Sequence, residues 1–196
     1  MLDKRYQVFI STSGSEMQPE RMVLTQTLVG MGFFSWGLEQ RTPLSTSYAR
    51  RQIDDCDYVV LLLGSQYGEQ SVSGVGYMHL EYIYAVTKQK PMIVFMHEDP
   101  DSRDASLQDA KPELREKFKE FRRLLQQEVD QVFCYRSLRD LELAVRFNMP
   151  QMLERYPVVG WVRPQNTQAL HDEIEQLQAK VAQLKNELGK TEADPF

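Results

Sequence analysis

The chain has 196 residues, a formal net charge of −5, 42% hydrophobic residues and 26% charged ones. That is ordinary for a globular protein and enough for one domain plus an appendage. It lacks the clustered Lys and Arg that broad nucleic-acid binding requires, and no apolar run approaches the ~18–20 residues that cross a bilayer. Neither nucleic acid nor a membrane is an expected partner. The two cysteines, Cys56 and Cys134, and the three histidines show no metal-ligand spacing, so no metal is expected. The start, MLDKRYQVFI, lacks the apolar core of a signal peptide, and a cytoplasmic location is expected.

Residues 6–10 (YQVFI) predict a buried strand that runs into a polar loop, STSGS. Residues 20–31 predict a helix, with Leu24, Leu28 and Met31 at helical spacing and Pro19 in its first turn. Residues 33–36 predict a short strand and 47–55 a second helix. Residues 57–63 (DYVVLLL) are the clearest strand. The apolar run is continuous, so both faces are covered. Gly64 ends it, and residues 65–76 predict a flexible loop. A helix over 79–88 carries Glu81, and residues 91–96 (PMIVFM) form a fourth strand. Residues 98–111, acidic and polar, predict a mobile loop. Helices over 113–128 and 138–155 flank a fifth strand at 131–135.

Strands alternating with helices imply parallel pairing with right-handed crossovers. The expected fold is α/β: a flavodoxin-like five-stranded parallel sheet in order 2-1-3-4-5, spanning residues 1–164. Its switch point lies between the first and third strands, where open α/β sheets bind small molecules. Glu81 begins a helix on that side and is the candidate catalytic residue. Ser11, Thr12, Ser13 and Gly14 offer hydroxyls and backbone N–H groups for a ribose or phosphate. Gly64, Gln66, Tyr67 and Gly68 form the second loop, with Tyr67 placed to stack on a base. Trp36, at the end of the second strand, is a candidate flank for a base or nicotinamide ring. Plainer readings stand beside each: a dipole-favouring glutamate, a capping loop, a packed tyrosine, a core tryptophan. His79 is ~200° around the helix from Glu81 and is expected at the surface or in a cap.

Residues 165–196 are different. Leu170, Ile174, Leu177, Val181, Leu184 and Leu188 follow spacings of 4, 3, 4, 3 and 4. That is an a/d heptad seam with Ile174 and Val181 at a and Leu170, Leu177 and Leu184 at d, the preference of parallel two-stranded coiled coils. A self-associating C-terminal helix is expected. Lys180 and Lys185 would meet across a parallel dimer, a mild repulsion. A single amphipathic helix folded back on the domain is the alternative.

The segments VFISTSGSEMQPER, IDDCDYVVLLLGSQYG, GYMHLEYIYAVTKQKPMIVFM and YPVVGWVRP, taken in order, resemble the TIR-like domain of unknown function often fused to STAND-type ATPases. The likeness covers about residues 5–164. That family is similar to TIR domains and to nucleoside 2-deoxyribosyltransferases. The resemblance implies cleavage of the N-glycosidic bond of NAD, a nucleotide or a nucleoside, with Glu81 at the position of the relatives' glutamate. It also implies a role in bacterial anti-phage defence. NAD or a nucleotide would be substrate or ligand, and no bound cofactor is expected. Gln66 stands in place of the family's usual arginine, Met78-His79 where an acid is common, and Glu16-Met17 for an Asp-Leu pair. These departures favour the alternative, a non-catalytic nucleotide-sensing or self-assembling scaffold.

Overall fold

The computed structural model describes residues 4–37, 44–162 and 164–191, with side chains of the last stretch described over 169–185. By compactness the chain divides into Arg5–Gly160 and a second unit of Met1–Lys4 with Trp161–Phe196.

The first unit holds five parallel strands: β1 (Tyr6–Thr12), β2 (Phe33–Trp36), β3 (Tyr58–Leu63), β4 (Met92–His97) and β5 (Val132–Tyr135). Their order is β2-β1-β3-β4-β5, as the alternation of elements predicts. The helices are α1 (Gln18–Gly30), α2 (Ser45–Asp55), α3 (Tyr77–Thr87), α4 (Pro112–Glu128) and α5 (Leu138–Arg155). A single 3-10 turn, Ser15–Met17, precedes α1. Successive strand residues point to opposite faces. Phe9, Leu61, Leu63, Val94 and Met96 pack with Ala49, Ile53, Met78, Tyr82 and Phe121 from α2, α3 and α4. Val8, Ile10, Tyr58, Val60, Leu62 and Phe95 pack with Leu24, Leu28, Leu141, Val145 and Met149 from α1 and α5. Every residue of β3 is buried, which explains its unbroken apolar sequence.

Helix α3 starts two residues before its expected position. The Tyr67 hydroxyl accepts from the Gly76 N–H at 3.1 Å and contacts His79 Nδ1 at 3.0 Å, so a side chain from the preceding loop caps the first turn. His79 stacks on Phe121 with ring centroids 4.4 Å apart, and burial lowers its pKa. It is half-buried in the first turn of α3 beside the capping Tyr67 hydroxyl, the cap alternative rather than the surface one.

The 98–111 segment also differs from expectation. It is a strap tied across the carboxyl ends of the strands. Arg103 Nη2 donates to Glu20 Oε1 at 2.7 Å, with both side chains 8% exposed, and Arg103 Nη1 reaches Met17 Sδ at 3.1 Å. Ser65 Oγ donates to the Leu107 carbonyl at 2.7 Å. The Tyr67 N–H donates to Asp109 Oδ2 at 2.6 Å, and Arg115 Nε to the Asp109 carbonyl at 2.6 Å. A polar composition reads as mobile only when its charges lack buried partners.

In the second unit, α6 (Pro164–Thr191) is a 28-residue helix. Leu170, Ile174, Leu177, Val181 and Leu184 are all exposed on it. The side chain of Leu188 lies outside the described ones. No helix among the described residues is long and apolar enough to cross a membrane.

Arg103→Ala leaves the Glu20 carboxylate buried without its cation. Loss of about 3–5 kcal/mol of stability is expected in urea unfolding, the range for breaking a buried pair. A midpoint equal to wild type would show that the strap is not anchored by this contact.

Candidate functional site

β1 and β3 pair in register from Val8↔Tyr58 to Thr12↔Leu62, so their carboxyl ends lie side by side. Ser11, near the end of β1, shares a face with Phe9 and points toward α2 and α3. Its hydroxyl donates to Glu81 Oε2 at 2.5 Å, across 70 residues of sequence. Glu81 sits one turn into α3 and is 5% exposed. A carboxylate removed from water this far needs hydrogen-bond partners, and the serine supplies one.

The space beside Glu81 is small. Among the described residues it borders a void of about 10 Å³ between Thr46, Ala49, Arg50 and Ile53 of α2 and Tyr77, Leu80 and Tyr84 of α3. That volume holds about one water and no sugar ring.

Two larger spaces open from the first loop. One, of about 400 Å³, is bounded by Ser13, Gly14, Ser15 and Glu16, by Gln66, Gly68, Glu69 and Gln70 of the second loop, and by Asp109, Lys111 and Leu114. The other, of about 330 Å³, lies along α1 beside Gly14, Ser15, Gln18, Arg21, Met22, Thr25 and Gln26. Both are ligand-sized.

The cleft of about 400 Å³ is acidic. Ser13 Oγ donates to Glu16 Oε1. Burial pushes the Glu16 carboxyl above its ordinary range and nearby Asp109 adds to this. The Ser13 hydroxyl, the backbone and Arg103 pull the other way. Asp109 is raised too, again by burial, against the N–H groups of Tyr67 and Gly68 and the Arg115 charge. Neither acid stands out by spacing in the sequence. Glu16 was visible only as a departure from a family pattern, and Asp109 sits in a segment whose composition reads as loop.

The structure thus brings Ser11 to Glu81, and gathers Ser13, Gly14, Gln66 and Gly68 around one cleft. Thr12 is buried. Gly64 is buried where any Cβ would overlap Arg103 and Met17, so its role is to admit the strap. Tyr67 is 6% exposed, edge-on to His79 and Phe121, with its phenol spent on α3. Trp36, in register with Phe9, is half exposed at the sheet edge. No group of three metal-ligating side chains occurs among the described residues.

Gly68 has φ +79°, and a Cβ there would overlap the Ser13 carbonyl and its carbon. Glycine is therefore required both by conformation and by the close approach of the two loops. Gly68→Ala is expected to cost about 1–3 kcal/mol and to push the loops apart. An unchanged denaturation midpoint would contradict this.

No curated protein matches. Among solved structures the chain is similar to a CMP N-glycosidase, BcmB, of Clostridium botulinum, at 14% identity and a TM-score of 0.48, covering 71% of this chain and 97% of that one. It is similar to a flavoprotein of Thermotoga maritima at 14% identity and a TM-score of 0.44, covering 76% and 36%. It is also similar to an α-glucosyltransferase in complex with UDP and DNA, at 11% identity and a TM-score of 0.38, covering 67% and 37%. A family model matches residues 7–150, and the chain belongs to that family, described as Domain of unknown function (DUF4062).

Proposed function

We propose that this domain hydrolyses the N-glycosidic bond of NAD or a related nucleotide or nucleoside, with Glu81 as the carboxylate that meets the sugar. The observation that carries this is the placement of a buried acid, held by the Ser11 hydroxyl, at the switch point of a parallel sheet. Breaking the bond at C1′ builds oxocarbenium-like positive charge on the ribose. A fixed carboxylate in a water-poor pocket stabilises that charge far better than water does, and it is also placed to attack C1′. Ser13, Gly14, Gln66 and Gly68, around the larger cleft, supply hydroxyls and backbone N–H groups for the rest of the ligand. The void beside Glu81 admits only water, so productive binding requires α2 and α3 to part. That is a closed resting state.

Self-association of α6 through its exposed seam is the proposed partner interaction, and opening of the site is its proposed consequence. The resemblance to TIR domains supports anti-phage defence as the proposed setting. The second reading, a nucleotide sensor or scaffold without turnover, draws on the same water-sized void.

Incubating the full chain with NAD and with nucleosides is expected to release nicotinamide or free base. Glu81→Gln keeps the shape and is expected to lower turnover at least ~100-fold. Undiminished activity refutes the role of Glu81, and ligand-induced stabilisation with no product selects the sensor. Sedimentation of the full chain is expected to show a dimer that tightens with added salt, as the Lys180–Lys185 repulsion is screened. A truncation ending before Thr167 is expected to be monomeric. Equal masses would remove the assembly.

A further inference from the structure

We propose that Glu16 is the general acid of this site, passing a proton to the departing base, and that the substrates are nucleosides or nucleotides whose base needs that proton, rather than NAD. The inference rests on the glycosidic reading above and narrows its substrate class.

The geometry is that of two carboxyl groups hung from the end of one strand. Ser11 lies in β1 and Ser13 just past its end at Thr12, so their Cα atoms are at most ~7 Å apart. The Ser11 hydroxyl holds Glu81, and the Ser13 hydroxyl holds Glu16. Glu81 faces the closed void between α2 and α3, while Glu16 faces the open cleft of about 400 Å³. Acid and carboxylate on opposite sides of a scissile glycosidic bond stand ~6.5–9.5 Å apart when water is the nucleophile. Tethers at most ~7 Å apart leave room for the two carboxyl groups to take up that separation.

The charged groups around Glu16 suit a proton donor. Asp109, Glu69 and Lys111 line the same cleft, and Arg103 donates to the Glu16 carbonyl at 3.5 Å while pairing with Glu20. Burial and the Asp109 charge keep the proton on Glu16 to higher pH than in water. The Ser13 hydroxyl and Arg103 offset part of this. The Arg103 charge is itself engaged by Glu20.

The chemistry then separates two leaving groups. When a purine or pyrimidine departs, the C1′–N bond breaks and its electron pair goes to the base. The base takes the Glu16 proton. Water adds its oxygen to C1′ and releases a proton that restores the acid. Nicotinamide leaves NAD differently: the departing pair cancels the pyridinium charge, the product is neutral, and no proton is transferred. An acid at this position accelerates only the first reaction.

The test uses the full chain with ribonucleoside 5′-monophosphates and with nicotinamide mononucleotide and NAD, reading free base across pH. Wild type is expected to split monophosphates, with activity falling as pH rises past the Glu16 pKa. Glu16→Gln is expected to lower kcat/KM on monophosphates at least ~100-fold and to remove that alkaline limb. Any turnover of the nicotinamide substrates is expected to stay within about threefold, a difference too small to reflect a lost acid. Ser13→Ala, a second variant, is expected to show a smaller loss with the same dependence on leaving group. Equal loss on both substrate types, or no loss on monophosphates, overturns the acid role. So does wild-type activity on NAD with none on monophosphates. Glu81→Gln separates the two claims. If it abolishes turnover while Glu16→Gln shows no leaving-group dependence, the glycosidic reading stands and this one falls. If wild type turns over none of these substrates and no nucleoside, both fall.

Discussion

One hydrogen bond, from Ser11 on β1 to Glu81 on α3, ties the sheet to the candidate chemistry. A carboxyl group at 5% exposure is costly unless its oxygens find hydrogen-bond partners, and the strand end supplies one. The bond also fixes the rotation of α3. A second lock on that helix comes from the Tyr67 phenol at its first turn. The result is a carboxylate held rigidly at the carboxyl edge of the sheet, behind a gap of water size. Once α2 and α3 have parted, a carboxylate fixed in this way favours developing positive charge, because it does not have to turn during the reaction.

The walls of the larger cleft come from three distant segments. The turn after β1, the loop after β3 and the strap after β4 meet over the strand ends. Two glycines set how closely they approach: Gly64 lets the Arg103 guanidinium lie against β3, and Gly68 lets the second loop touch the Ser13 carbonyl. The buried Arg103–Glu20 pair clamps strap to helix, though Glu20 Oε2 has no hydrogen-bond partner among the described residues. Such a pair is weak evidence for stability, since desolvation offsets most of its attraction. What it does is fix the position of α1's first turn, into which the 3-10 turn carrying Glu16 and Met17 leads.

The sheet was readable from the amino acids because its signal is local. DYVVLLL and PMIVFM are apolar without alternation, and only strands covered on both faces read that way. The strand order followed from connection rules once the alternation was seen. The place of Glu81 on the helix after the third strand was readable from its position in the sequence. Its partner Ser11 was not, because 70 residues separate them and serine in STSGS looks the same whether it binds a ligand or a side chain. The strap misled for a similar reason: Arg103, Asp109 and Leu107 make their key contacts with Glu20, Tyr67 and Ser65, none of them neighbours in sequence. Tyr67 looked like a base-stacking residue by its place in a glycine-bearing loop, and the fold spends both its ring and its hydroxyl on packing α3. The early start of α3 has the same origin.

The central claim is that Glu81 meets a ribose. The most direct measurement is a structure of the full chain with a non-hydrolysable nucleotide analogue. The expected result places C1′ within ~3.5 Å of the Glu81 carboxylate, with α2 and α3 drawn apart around the sugar. A fully occupied analogue held elsewhere, with the water-sized gap beside Glu81 unchanged, would contradict it and leave a binding module in its place.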